Sequence, residues 1–335
     1  MPDTRYENIS IIGDGAMGTV LAMLLCEKDI PVRIWGYDRE QLRQIESARE
    51  NKKFLPGYKL PAPLLFEPDD TAIMTGAELV VSAVPCQYMR RVWNRLKDYV
   101  PNGVPIVSVA KGIENETLLR PSQIIADVVG RKVECAVLSG PTISDELARR
   151  LPATACAACP DEKLARQVQH TFSVQWLRVY TNTDIVGVEL AGAMKNIIAI
   201  AAGIIDGTGA GNNAKAALLS RGLAEITRLG TACGARPRTF AGLTGLGDLV
   251  TTCISPKGRN RSFGERIGRG QSIQQAEKAT ESVIEGTATC KSVMALARRH
   301  NIEMPITQSI FEVLFENKPV RTAIADLMSR RLRAE

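Results

Sequence analysis

Lysine is the acid/base residue that this sequence offers. Only two histidines occur, His170 and His300, so a proton that must move at a carbonyl or hydroxyl oxygen falls to another side chain. Lys195 lies in the run DIVGVELAGAMKNIIAIAAGIIDGTG, residues 184–209. Between 186 and 205 that run is almost wholly apolar, long enough for five helical turns or more, with Asp184 as its N-cap. A helix apolar on every side is a buried one. An ammonium stranded there costs many kcal/mol unless it is paired or gives up its proton. Glu189 is six residues away, about 120° around the helix, which is poor geometry for an ion pair. Lys195 is therefore the first catalytic candidate. The second is Lys111, in Ala110-Lys111-Gly112 after an apolar strand-like segment; a desolvated lysine beside a second cation titrates nearer the working range, and Lys111 could be that cation.

Other residues point to a small anionic ligand. Pro256-Lys-Gly-Arg-Asn-Arg261 gathers Lys257, Arg259, Asn260 and Arg261 in a glycine-broken segment, which suits a phosphate: arginine offers a planar fork and asparagine a neutral donor. FAGLTGLGDLVTTC sets Gly242, Gly245 and Gly247 close to Asp248, so that backbone and one carboxylate can approach a ligand. The apolar segment 135–141 ends at Gly140-Pro-Thr142, where a small residue and a hydroxyl can line a pocket.

The elements that must position these groups begin with a strand at 9–12, the loop Gly13-Asp14-Gly15-Ala16-Met17-Gly18 and a helix. Strand, GxGxxG turn and helix in that order form a dinucleotide fingerprint: Gly13 makes the turn, Gly15 lets a pyrophosphate approach backbone amides and Gly18 permits close helix packing. Strands at 32–35, 79–85, 105–109, 135–141, 152–158 and 178–180 alternate with helices at 39–50, 88–100, 142–150 and 161–170, with a proline-rich loop at 53–63. This alternation predicts an α/β Rossmann-type, doubly wound parallel sheet as a dinucleotide-binding domain, residues 1–183. From 184 to 335 no strand is expected; after the loop 206–215, helices at 214–229, 272–279, 286–300, 307–317 and 320–333 predict an all-α substrate-binding domain. The strand at 32–35 is followed by Gly36-Tyr37-Asp38-Arg39 rather than by the acidic residue that usually holds the ribose of NAD. Arg39, Arg49 or Lys52 could meet a 2′-phosphate, so the choice between NAD and NADP stays open.

Composition excludes several alternatives. Of 335 residues 45% are hydrophobic and 23% charged, values of a globular chain rather than a disordered or repetitive one. The net charge of +6 is spread along the chain and aromatics are only 5%, which argues against nucleic acid as a partner. The run 184–209 contains Glu189 and Lys195 and lacks basic flanks, which argues against a membrane span. MPDTRYENIS holds no apolar signal region, and a cytoplasmic setting with eight reduced cysteines is expected. Cys156 and Cys159 form a CxxC in a strand-like run with no second ligand pair, so no metal is expected. A homodimer through the helical half is expected.

The residues also carry a resemblance. NTDIVGVELAGAMKNIIAIAAGIIDGTGAGNNAKAALLSRGLAEITRLG, AGLTGLGDLVTTC, GRNR, VIEG and MPIT together resemble the bacterial NAD(P)-dependent glycerol-3-phosphate dehydrogenase family, from the glycine loop almost to the C-terminus. The resemblance implies reversible hydride transfer between NAD(P)H and dihydroxyacetone phosphate, giving sn-glycerol 3-phosphate for phospholipid synthesis. It implies that Lys195 is the acid/base and that Lys111, Gly140, Thr142, Asp248, Arg259 and Asn260 contact the substrate. It further implies cofactor contacts from Gly13, Gly15, Ala16, Met17, Gly18, Tyr37, Lys111, Ser144, Arg259, Val283 and Glu285. The chain departs from the family pattern at Asp14, where Ala is common, at Met17, where an aromatic is usual, at Ile143-Ser144, where Phe-Ala is usual, and at Gly258, where Ser is usual. A nicotinamide sensor without turnover would need neither lysine, and a reductase of an unphosphorylated keto acid would lack the Arg-Asn segment.

Overall fold

The computed structural model describes residues 6–130, 133–280 and 283–332. It divides into two compact units: one takes the chain up to Lys111 together with Leu119–Glu189, and the other takes Gly112–Leu118 together with everything from Leu190 onward.

The first unit is built on an eight-stranded sheet. Its elements in chain order are β1 (Ile9–Ile12), α1 (Ala16–Glu27), β2 (Val32–Trp35), α2 (Arg39–Ala48), β3 (Glu50–Asn51), β4 (Leu55–Lys59), β5 (Leu65–Phe66), β6 (Leu79–Ser82), α3 (Cys86–Leu96), β7 (Ile106–Ser108), α4 (Pro121–Val129), β8 (Cys135–Ser139), α5 (Ser144–Ala148), β9 (Ala153–Ala158), α6 (Glu162–Phe172) and β10 (Leu177–Asn182). The strand order is β10-β9-β8-β7-β6-β1-β2-β5, with β1 at the reversal point between β6 and β2. Both faces of the sheet are covered, which is why its central strands are apolar without alternation. Side chains still alternate between faces: Ile9, Ile11, Leu79 and Val81 join one core cluster, while Ile12 and Val80 join another.

Three features of this unit differ from the sequence reading. The sheet is mostly parallel, but β8 and β9 pair antiparallel, because only the five-residue α5 and its flanks join them and the chain turns back on itself. The proline-rich loop contains β4, which closes a small antiparallel pair with β3. The helix α4 was not expected; it starts with Pro121 at its first position and stops at Gly130 in a left-handed conformation, φ +64°.

The second unit contains helices and turns only, among the described residues. These are α7 (Ile185–Thr208), which begins in the first unit, then α8 (Gly211–Ala232), α9 (Pro237–Phe240), a π-helical turn at Leu243–Gly247, α10 (Asp248–Ile254), α11 (Arg259–Gly268), α12 (Ile273–Lys278), α13 (Glu285–Arg299), α14 (Pro305–Phe315) and α15 (Val320–Met328). By length and composition α7 could cross a membrane, yet 94% of its most apolar window is buried inside the protein, so it is a core helix. The expected loop at 206–215 shrinks to two residues between α7 and α8. The glycine-broken basic segment is not a loop throughout: Gly258 is the N-cap of α11, and Arg259 is its first residue.

The boundary also falls elsewhere than at 183/184. Val188 packs with Val137, Cys156 and Ala158 of the sheet. Glu189 accepts hydrogen bonds from the Ser122 amide (2.7 Å) and hydroxyl (2.8 Å). Residues 112–118 belong with the helices because Ser292 Oγ on α13 bonds Ile113 O (2.8 Å) and Asn115 Oδ1 (2.5 Å).

Candidate active site

In the first unit the glycine loop forms a cradle between β1 and α1. A Cβ on Gly18 would lie 2.1 Å from Gly13 O, and Gly13 itself has φ +119° with Ala83 O 2.7 Å from the position of a Cβ. Neither position admits a side chain. Around Gly15, by contrast, a Cβ would meet nothing within 4 Å. That open space lies at the N-terminus of α1, whose N-cap Gly15 makes no side-chain capping bond and whose first turn carries no acidic residue. Backbone amides with the positive end of the helix dipole suit a pyrophosphate there, so the residues present fit a dinucleotide. Ala16 and Met17 open the same helix.

The ribose side differs in part from the sequence reading. Asp38 caps α2, accepting from the amides of Glu40 (3.0 Å) and Gln41 (3.2 Å). Arg49 does not reach toward a phosphate: its guanidinium donates to the carbonyls of Leu64 and Pro61 and lies over the Phe66 ring. Tyr37 is exposed, with the Arg91 guanidinium 4.9 Å from its ring centroid. Asp14, absent from the expected contacts, turns its carboxylate to Gln41, whose Nε2 donates to Oδ2 at 2.6 Å. Burial raises the Asp14 carboxyl above its ordinary value, opposed by hydrogen bonds from its own backbone and from Gln41.

Lys111, Gly140 and Thr142 meet at the carboxyl ends of β7 and β8, where ligands of such sheets bind. Lys111 Nζ donates to Gly140 O at 2.8 Å, and Thr142 Oγ1 donates to the same oxygen at 3.1 Å. Ser144 begins α5 just beyond.

In the second unit Lys195 is 5% exposed on α7. Its ammonium is bonded to Asp248 Oδ1 and to Thr252 Oγ1, the latter at 2.6 Å. Within this unit the charge that faces Lys195 is thus a carboxylate. Asp248 and Thr252 lie one turn apart on α10 and present both groups to the lysine; Thr252 was missed, although its spacing from Asp248 could have found it. The π-helical turn that precedes Asp248 packs tightly: a Cβ on Gly245 would lie 1.9 Å from Phe240 O, so this glycine serves packing rather than ligand approach. Glu189 is engaged by Arg120 and Ser122. Burial raises its carboxyl above the usual range, and the Arg120 charge and the Ser122 bonds pull it back.

The N-terminus of α11 carries Arg259 exposed and Asn260 buried. Asn260 Oδ1 accepts from the Gly286 amide at 3.0 Å, which turns its NH2 away as a donor. Arg259 reaches Val283 O at 3.4 Å, and Glu285 opens α13 beside it. Arg261 is not available for an anion: it is tied to Asp206 (2.6 Å) on α7 and to Glu265 (3.2 Å). Cys156 and Cys159 are buried, and burial pushes the Cys156 thiol up to about 12.

A cradle that takes a dinucleotide and a buried lysine with a carboxylate partner are what a nicotinamide-dependent dehydrogenase requires, and that is the class to which fold and residues assign this chain. Family models described as NAD-dependent glycerol-3-phosphate dehydrogenase N-terminus and C-terminus match residues 8–165 and 184–325. The chain is 45% identical over 331 residues to the glycerol-3-phosphate dehydrogenase [NAD(P)+] of Geobacter sp. (strain M21), covering 98% of this chain and 99% of that protein. It is 44% identical over 329 residues to the enzyme of the same name from Chlorobium phaeobacteroides (strain BS1), covering 98% of each. The crystal structure of glycerol-3-phosphate dehydrogenase from Coxiella burnetii superposes with a TM-score of 0.93 at 36% identity, over 98% of this chain and all of that one. This chain belongs to the NAD-dependent glycerol-3-phosphate dehydrogenase family.

Proposed function

We propose that the chain interconverts dihydroxyacetone phosphate and sn-glycerol 3-phosphate with NADH or NADPH, in the cytoplasm, as a source of phospholipid precursor. The observation that carries this reading is Lys195, an ammonium held by Asp248 and Thr252 on an otherwise apolar helix. Such a buried pair is weak evidence for stability alone, since well-packed apolar residues would serve the fold as well.

A dinucleotide held at the glycine loop Gly13–Gly18 would supply the hydride that reduces the carbonyl carbon. Negative charge then develops on the carbonyl oxygen, and Lys195 donates a proton to that atom; in the reverse direction it withdraws the hydroxyl proton. Asp248 compensates the ammonium charge and, with Thr252, fixes where Nζ points. The Arg259 fork and the Asn260 NH2 hold the phosphate at the N-terminus of α11, where backbone amides and the helix dipole add to the attraction. Gly258 at this N-cap offers no hydroxyl and leaves the first-turn amides uncapped by a side chain. Lys111, Gly140 and Thr142 are the further substrate contacts of this reading. Gly13, Gly15, Ala16, Met17, Gly18, Tyr37, Lys111, Ser144, Arg259, Val283 and Glu285 are the cofactor contacts of this reading. The working form is a homodimer through the helical unit, in keeping with the exposed Met328 and Leu332 near the C-terminus.

Oxidation of NADH or NADPH by the purified chain on addition of dihydroxyacetone phosphate tests the reading. Turnover with this substrate and little with unphosphorylated dihydroxyacetone is expected. Absence of turnover with either cofactor would overturn it.

A further inference from the structure

We propose that Asp14, a residue of the glycine loop, supplies the carboxylate that reads the adenosine ribose in this chain, and that it biases the site toward NAD over NADP.

The fold assigns this reading to a residue at the end of the second strand, about twenty residues beyond the glycine loop. Here that strand ends at Trp35 and the next residue is Gly36, which has no side chain. The acidic residue that follows, Asp38, is spent on the amides of α2. The place is nonetheless filled by a carboxylate. A Cβ built on Gly36 would lie 3.0 Å from both Cγ and Oδ2 of Asp14, so the Asp14 carboxylate occupies the volume into which a side chain at position 36 would grow. A glycine at 36 and an aspartate at 14 are then two halves of one arrangement.

The carboxylate is fixed in place. Gln41 donates to Oδ2, and Lys53 Nζ in turn donates to Gln41 Oε1 at 3.0 Å. The Asp14 carbonyl accepts from Asn51 Nδ2 (2.8 Å), which also donates to Thr19 Oγ1 (2.8 Å) and so pins the loop to α1. Asp14 stays partly exposed, and beyond the Gln41 bond its two carboxylate oxygens keep acceptor capacity that suits a ribose hydroxyl. A 2′-phosphate would bring further negative charge against Asp14 and Asp38. On the opposite side of the balance stand Lys53, already bonded to Gln41, and the exposed Arg39.

The test is direct binding of NADH and NADPH to the full chain, followed by cofactor fluorescence at mildly alkaline pH, for wild type, Asp14→Asn and Asp14→Ala. Wild type should bind NADH about tenfold or more tightly than NADPH. Both variants should move that ratio about tenfold toward NADPH, partly by weaker NADH binding and partly by stronger NADPH binding; tenfold corresponds to about 1.4 kcal/mol. Asp14→Asn keeps the shape and a hydrogen-bonding partner for Gln41, so it remains informative if the alanine variant disturbs the loop. A wild type that prefers NADPH, or a ratio unchanged in either folded variant, would overturn the proposal. Failure of wild type to bind either cofactor would overturn the dinucleotide assignment itself, an outcome separate from an unchanged ratio.

Discussion

At the scale of single residues, two buried carboxylates divide the work around α7. Glu189 joins the start of α7 to Arg120 and Ser122 at the start of α4, a structural tie. Asp248 faces Lys195, about one and two-thirds turns further along α7. The sequence exposed Lys195 because an ammonium on an apolar helix demands an explanation, and helical geometry made Glu189 a poor partner. Asp248, 53 residues away, was legible only as a carboxylate among glycines, because a long-range contact leaves no mark on local spacing; with Asp248 taken as the partner, Thr252 one turn further on would have followed. Arg259 and Asn260 were legible as chemistry, but their neighbour Arg261 looked equivalent and is consumed by Asp206. Arg259→Ala should therefore lower kcat/KM for dihydroxyacetone phosphate by about 2 kcal/mol, the cost of a hydrogen bond to a charged group. Dihydroxyacetone turnover should be nearly indifferent to the change; equal losses for both substrates in steady-state assays would make Arg259 a residue of the fold.

At the scale of elements, the phosphate end of α11 is held by a seam of glycines. A Cβ on Gly203 of α7 would lie 1.9 Å from Arg261 O, and one on Gly264 of α11 would lie 2.0 Å from Ile200 O, so the two backbones touch. This contact fixes the N-terminus of α11 against the helix that carries Lys195. Gly264→Ala should cost at least the 1–3 kcal/mol or so of an overpacked core, lowering the melting temperature and weakening substrate binding together. An unchanged thermal melt would show that the helices separate without cost. The apolar character of α7 was plain from its residues, yet its glycines could be read only as small. The seam depends on a second helix that began where Pro256 and Gly258 signalled a loop. Similarly α4 was overlooked because PSQIIADVV is short and opens with the proline that a helix accepts at its first position.

At the scale of the whole molecule, the glycine loop and the alternation of elements announced a sheet followed by helices, and that architecture stands. The direction of β9 and the passage of 112–118 to the second unit were not legible. Both follow from contacts distant in sequence, the β8·β9 ladder and the Ser292 bonds, rather than from local pattern. Burial also sets the behaviour of the cysteines: the thiols of Cys135, Cys156, Cys253 and Cys290 are pushed from 9.0 up to about 12. The folded chain thus holds these protons more tightly than the unfolded chain. The associated stability is complete below about pH 9 and is lost as pH rises toward about 12. Melting temperatures should fall across that window, and at pH near 8 a thiolate-directed reagent should label these four residues only after unfolding; a flat profile or ready labelling of the native chain would contradict the burial.

The central claim is that Lys195 moves the proton, and the intact chain tests it through one substitution. Lys195→Met keeps a long apolar side chain on α7 and removes the donor, leaving Asp248 without its cation. With the fold checked by its melt and NADH binding retained, kcat for dihydroxyacetone phosphate should fall at least about a hundredfold, the lower range for loss of an acid/base group. A folded Lys195→Met enzyme that turns over at near the wild-type rate would contradict the account.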